Sequence, residues 1–276
     1  MPPSSSFPAT ATSLAHLGLL DDEEIELDMA ALELSALDHD GLDTDPYIAI
    51  LSGIGENLAM VGRVAHNGAQ QAGALALVIA GHYGFVGDRT TYDAPLNADM
   101  IRVIDRRKGL PVSLAILYVS AARRMGWTAH ALNTPGHVLV SIGDEALPVI
   151  VDPFNGGSSV APGQVAALVA QMGGHRGGGE DYLAPMTNRM VLVRLLMNQA
   201  TRAEQAGDPA RAMTVYERMT IAAPSHGQGW WDLARLQLAN GDTESARDSL
   251  SAMLEVTRDR DLRAPIAAAL DAIAGR

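Results

Sequence analysis

Residues Arg106–Gly157 read RRKGLPVSLAILYVSAARRMGWTAHALNTPGHVLVSIGDEALPVIVDPFNGG. From Pro111 to Met125 apolar residues fall on nearly every side of a helical projection (Val112, Leu114, Ala115, Ile116, Leu117, Val119, Ala121, Ala122, Met125). That is the pattern of a helix enclosed on all faces, not a surface helix with one apolar stripe. Gly109 and Pro111 are start signals, and Gly126 is a stop signal. Three β-branched runs follow, at 128–133, 137–142 and 147–152, separated by the turn-formers Pro135-Gly136 and Gly143-Asp144. They predict an antiparallel meander packed on the helix.

The meander carries a geometric expectation. If the last two runs form a hairpin whose loop is residues 143–146, Ile142 pairs with Leu147 and His137 falls opposite Asp152. Directly opposed residues have Cβ atoms roughly 5 Å apart, so the carboxylate would orient the imidazole. A slip of one residue would send the two side chains to opposite faces. A histidine oriented by an aspartate is two thirds of a nucleophile, base and orienter arrangement. In cysteine enzymes the third member often sits at a helix N-terminus, where the helix dipole favours the thiolate. This chain has the helix and no cysteine.

The segment resembles the transglutaminase-like core, in the form found in bacterial SirB-type proteins that pair this core with tetratricopeptide repeats. The resemblance includes Gly84-Phe85 with Gly87-Asp88, then Tyr92-Asp93 and Pro95 to Asn97, similar to the GF-x-G-N…YYDP-x-NS run before that family's helix. It continues through the RxGLPxSLAxLY-like helix start, the PGH of 135–137 and the DPFNGG of 152–157, and extends from about Leu20 to the C-terminus. It implies that His137 and Asp152 match the His and Asp of a transglutaminase-type triad, while the catalytic Cys position falls at Pro111. Proline supplies no nucleophile, so acyl transfer through a thioester is not expected.

The substitute nucleophile to weigh is Ser113, two residues into the same helix. A serine in a first helical turn is more often tied to the free N–H groups there. His137 and Asp152 likewise admit a structural reading, as a satisfied polar pair that locks a hairpin in register. The favoured reading is structural, and the alternative is a hydrolase or acyltransferase using Ser113 with His137 and Asp152. No metal and no cofactor are expected. His66, His82, His130 and His175 lie in separate segments without the close pairings that mark a metal site. Gly173-Gly174 and Gly177–Gly179 lack the strand and helix that a phosphate loop requires, and read as a flexible connection.

The C-terminal region carries an independent signal. Residues 230–256, WWDLARLQLANGDTESARDSLSAMLEV, read as two amphipathic helices broken at Asn240-Gly241-Asp242. An offset of 34 residues relates Gly207-Asp208 to Gly241-Asp242 and Ala212 to Ala246, which is the tetratricopeptide period. The first copy runs from about Leu196 to Pro224 with Tyr216 inside it; the second places Trp230, Leu233 and Leu250 correspondingly. Two units need packing partners, supplied by a helix from about Asn188 and a terminal helix near 264–274. Such an array serves either as a buttress or as a groove for a peptide.

Composition bounds the rest. The chain has 276 residues, 47% hydrophobic, enough for packed cores. A net charge of -12 argues against nucleic acid or an anionic membrane as the main partner. The basic run Arg106-Arg107-Lys108 reads as solvated. The first twenty residues hold no Lys or Arg and no targeting pattern, and the longest apolar stretch, Ala72–Ala80, is far below the roughly twenty residues that span a bilayer. A cytoplasmic location is expected. The acidic run Asp21–Asp28 opens a helix, and Tyr47–Met60 and Gly68–Ile79 supply others.

The expectation is therefore an α+β protein: a transglutaminase-like (papain-like) core with a buried central helix and small antiparallel sheet, followed by an all-α tetratricopeptide repeat region. The expected divisions are a flexible tail at 1–20, the core at 21–172, a Gly-rich linker at 173–187 and repeat helices at 188–276. The expected role is a non-catalytic interaction or regulatory scaffold, engaging a protein or peptide through the repeats or the remnant cleft.

Overall fold

The structure is a computed structural model and describes residues 9–134, 136–171 and 183–274. Most of the expected linker, Pro135 of the PGH motif and the first eight residues lie outside the described residues. The chain forms two compact units: one runs from Asp22 to Leu195, and the other comprises the residues up to Asp21 together with Leu196 onward. The second unit opens with α1 (Ala9–Leu19), in the stretch read above as a tail. Leu14 and Leu17 are buried, and α1 packs on a later helix of its own unit at Gly18, where a Cβ would stand 2.2 Å from the Ile221 carbonyl oxygen. Its Thr- and Ala-rich sequence has no strong helical pattern, and docking supplies the stability that propensity does not.

The Asp22–Leu195 unit contains α2 (Leu27–Ala36), α3 (Asp45–Val61), α4 (Gly68–Leu75), β1 (Val86–Gly87), α5 (Met100–Arg106), β2 (Lys108–Gly109), α6 (Pro111–Arg124), β3 (Ala129–Leu132), β4 (Leu139–Ile142), β5 (Val149–Asp152), β6 (Ser158–Ser159) and α7 (Pro162–Gln171). β1 and β2 pair in parallel, and β3-β4-β5-β6 form an antiparallel sheet in that order. α6 begins where expected: Leu110 is extended and Pro111 takes the first position, where its missing N–H costs nothing. Gly126, at φ +70°, ends it. Every residue from Pro111 to Ala122 is buried. Each Leu, Ile or Val so enclosed contributes roughly 1.5–3 kcal/mol by transfer from water, and α2, α3, α4, β3 and β4 all pack against it.

The hairpin register differs from the expectation by two residues. Ile142 pairs with Val149, not Leu147, and Val140 with Val151. The loop is longer because Asp144 builds a turn inside it: its carboxylate accepts from the Ala146 N–H (2.9 Å) and its carbonyl from the Leu147 N–H (3.0 Å). Since the side-chain period of a strand is two, this slip keeps every residue on its expected face. His137 and Asp152 become diagonal neighbours on one face in place of direct partners, which long side chains still bridge.

Glycine sets one close crossing. Gly143 ends β4 at φ +92°, and a Cβ on it would lie 2.7 Å from the Cα of Gly68, the first residue of α4. Beyond Leu75, α4 widens into a π-helical turn over Ala76–His82.

The C-terminal helices are α8 (Asn188–Gln205), α9 (Pro209–Ala222), α10 (Gly227–Ala239), α11 (Thr243–Val256) and α12 (Arg260–Ala274). The 34-residue correspondence is physical: Asp208 and Asp242 both cap the following helix, accepting from the N–H of Arg211 and Ser245. Gly207 and Gly241 both take positive φ. Ala212 and Ala246 are fully buried, letting paired helices approach. Ile266 and Ile273 of α12 close an apolar cluster with Ala246 and Leu250. No described helix is long and apolar enough to cross a membrane.

Gly143→Ala is expected to destabilise the chain by about 3 kcal/mol, because the left-handed backbone and the backbone of Gly68 both resist a methyl group. Thermal melting monitored by circular dichroism should show a drop of roughly 10 °C; an unchanged midpoint would show that the crossing is not tight.

Candidate functional site

The strand β5 ends in the DPFNGG turn, and this turn holds the carboxylate of the expected pair. Asp152 is buried, its carbonyl accepts from Gly157 N–H (2.8 Å), and its carboxylate accepts from both the backbone N–H (3.2 Å) and the side-chain amide of Asn155. His137 Nε2 stands 2.9 Å from Asp152 Oδ1, with the imidazole 17% exposed. The ring edge is not aimed along the N···O line, since Nε2 makes no aligned hydrogen bond. The contact is therefore a close electrostatic pairing. Burial pushes the Asp152 carboxyl up, but His137 and the Asn155 donors outweigh it and hold it below the usual carboxylate range.

The loop bearing His137 is tied down from a distance. Arg194, on α8, donates to the carbonyl oxygens of Thr134 (2.5 Å) and His137 (3.0 Å) and to Asn133 Oδ1 (3.2 Å). Phe154 supports the ring from the other side, edge-on to His137 at 5.9 Å and to Tyr92 at 5.7 Å between centroids. The Arg89 guanidinium lies over the Phe154 ring at 5.8 Å and donates to Asn155. A Cβ on Gly87 would meet Phe154 at 2.5 Å. Tyr92, Gly87 and the DPF run are all motif residues, so the family-like segments converge on one small aromatic cluster. Arg194 carries no local sequence signal, because it lies 57 residues from His137.

Ser113 makes its own contact at the start of α6. It is fully buried, and its hydroxyl donates to the Asn97 carbonyl oxygen at 2.8 Å. That carbonyl also accepts from Leu110 N–H (3.0 Å), so the loop before α5 is stitched to the start of α6. The same loop is braced by Asp88, whose carboxylate accepts from Thr91 Oγ1 (2.6 Å), the Thr90 and Thr91 N–H groups and Arg106. The Thr91 hydroxyl, against the cost of burial and with help from Arg106, holds Asp88 far below the ordinary carboxylate range. Asn97 completes the brace, accepting from Arg106 (2.7 Å) and donating to the Thr91 carbonyl. Arg106, expected to be solvated, is thus half-buried and structural.

Beneath the pair, the Tyr118 hydroxyl on α6 is fully buried without a hydrogen-bond partner. Burial, and then the Asp152 charge, raise its pKa above that of an ordinary phenol. A Cβ on Gly157 would fall 2.5 Å from this hydroxyl and 2.9 Å from the Ala76 methyl, so a glycine at φ +77° and the small residues of the π turn make room for it. Among the described residues no three His, Cys, Asp or Glu are grouped to hold a metal ion. The arrangement offers a fixed imidazole–carboxylate pair in an aromatic setting, with the serine of the neighbouring helix committed to a backbone carbonyl.

Residues 29–197 match the transglutaminase-like superfamily, and residues 203–270 match the tetratricopeptide repeat. A UPF0162 protein of Xylella fastidiosa is 26% identical over 247 residues, covering 87% of each chain. A UPF0162 protein of Vibrio cholerae is 36% identical over 75 residues, 27% of this chain and 28% of that one. F-box only protein 21 of Mus musculus is 36% identical over 67 residues, 24% of this chain and 11% of that protein.

The depressed Asp152 pKa has a signed consequence. Its stabilising contribution is present above the unfolded-chain value of about 3.9 and is lost as pH falls from there through the lower folded value. Asp152→Asn should flatten the fall in stability between about pH 4 and pH 2, measured by urea denaturation at a series of pH values. An acid limb as steep as wild type would show that Asp152 is not held in its charged form.

Proposed function

The chain belongs to the transglutaminase-like superfamily, and from that premise we propose that it is a non-catalytic member acting as a protein-interaction or regulatory scaffold. The observation that carries the proposal is the state of the first turn of α6. Proline stands where the resemblance puts the thiol, and the Ser113 hydroxyl two residues on is buried and donates to the Asn97 carbonyl. A base activates a nucleophile by accepting its proton at hydrogen-bond distance, about 3 Å, or through one water, and the Ser113 hydroxyl is instead hydrogen-bonded to the Asn97 carbonyl. On this reading His137 and Asp152 hold the end of the β4–β5 hairpin against the DPFNGG turn by their 2.9 Å contact, a role that needs no turnover.

In the proposed division of labour the Asp22–Leu195 unit supplies a rigid body and a cleft remnant, and the helices from Leu196 onward supply the partner surface in the cytoplasm. Repeats of this type stack helices into extended faces suited to protein partners.

Two measurements test the proposal. Full-length protein treated with a fluorophosphonate probe and read by intact mass should carry no adduct beyond that of Ser113→Ala; a Ser113 adduct that disappears in His137→Ala would establish the hydrolase reading. A photo-crosslinking residue in place of Leu238, an exposed apolar position on α10, should capture a discrete protein in cells that the same group at Glu23 does not. Equal or absent capture at both positions would overturn the scaffold role.

A further inference from the structure

The outer face of the small sheet carries a groove of about 440 Å³ that the scaffold reading leaves unused. Its floor follows from strand pairing. His130, Ser141 and Ile150 are register partners across β3, β4 and β5, so their side chains line up on one face. Their neighbours Ala129, Ala131, Val140, Ile142 and Val151 are the almost fully buried set facing the core. The returning segment at 183–185 forms a wall: Pro185 bridges to Leu132, and the Asn133 N–H donates to the Ala184 carbonyl. Leu183 and Leu132 then face the groove from one side, and the 143–148 loop with Glu145 closes the other.

This lining has the make-up of a small-molecule site, with apolar walls and a few converging polar groups in a volume of the usual size. The polar groups are unlike one another. Glu145 is the one acidic side chain among the lining residues. Burial and the Arg123 guanidinium, opposed by Glu145, press the His130 pKa below that of an ordinary imidazole, so at neutral pH the ring is uncharged and offers a lone pair. Arg123 itself is engaged with the Ala129 carbonyl and Asn188. A carboxylate and a neutral acceptor beside apolar walls repel an anion and complement a hydrogen-bond-donating cation.

We propose that this groove binds a small organic ammonium with an apolar body, its charged end against Glu145 and the His130 ring and its body against Leu132, Ile150 and Leu183. The site is independent of the His137–Asp152 pair and of the scaffold reading. Because Glu145 is exposed at the rim, its charge is partly screened, and binding by a minimal fragment is expected in the millimolar range.

The test titrates full-length protein labelled at histidine and backbone nitrogen with phenethylammonium chloride, using 2-phenylethanol as the uncharged counterpart. The expected result is a saturable shift of the His130 ring and Ser141 amide signals with the ammonium, at least fivefold tighter than with the alcohol. Glu145→Gln, at an exposed loop position, should bring the two ligands to parity while leaving the melting temperature unchanged. Ile150→Ala should weaken both ligands together. The proposal is overturned if His130 does not shift saturably, if the alcohol binds as well as the ammonium to the wild type, or if Glu145→Gln leaves the preference intact.

Discussion

Complete enclosure of α6 is the constraint on which the Asp22–Leu195 unit depends. A helix buried from Pro111 to Ala122 leaves no face for water, so each polar atom it carries must find a protein partner or stand as a cost of about 1–3 kcal/mol. Ser113 donates to Asn97, and Ser120 accepts the Asp28 N–H at 3.2 Å. The helix end is answered the same way. Arg124 forms a two-armed pair with the buried Asp28 carboxylate (2.6 and 2.8 Å), and Arg123 reaches the Ala129 carbonyl. Both cations also sit where the helix dipole favours positive charge. Tyr118 is the exception, and its unpartnered hydroxyl lies beside Asp152.

That enclosure explains where glycine is required. Layers that wrap a helix on all sides must cross at short range, and the chain makes the crossings with residues that lack side chains. Gly68 meets Gly143 where α4 passes the hairpin, and Gly157 fits between the Tyr118 hydroxyl and Ala76. The π turn after α4 rotates Ala76 and Ala80 toward the DPFNGG segment, with Ala80 ordinary van der Waals distance from the place of a Gly156 Cβ. A normal helical turn would bring the next residues round by 100° each and present a different face.

The legible parts of the sequence were those governed by local pattern. The all-round apolar run at 111–125 marks α6 to within a residue, and the paired Gly-Asp steps mark both repeat turns, because caps and turns act over a few residues. The sheet face was readable and its register was not: a loop lengthened by the Asp144 turn moves the pairing by two without disturbing the alternation. α1 has no readable pattern of its own, since it docks at Gly18 on a residue more than two hundred positions away in sequence. Arg194 is likewise positioned by distant partners. Charge in the basic run at Arg106 says nothing of the buried Asp88 that folds against it. Of the candidate residues, the strand alternation keeps His137 and Asp152 on one face despite the shifted register, but no spacing says that Ser113 turns to a backbone carbonyl.

The His137–Asp152 pair and the start of α6 are held by different sets of contacts. A catalytic arrangement keeps its nucleophile exposed and its base aligned, at the expense of some local stability. Here the Asn97 carbonyl accepts hydrogen bonds from the Ser113 hydroxyl and the Leu110 N–H, which seals the helix start, while Arg194 and Phe154 hold His137 at contact distance from Asp152 without aligning its N–H. The imidazole is fixed by its backbone carbonyl and its ring edge, and the carboxylate by the Asn155 amide and backbone. The hairpin end is thereby secured by several contacts of moderate strength spread over β5, α8 and the DPFNGG turn.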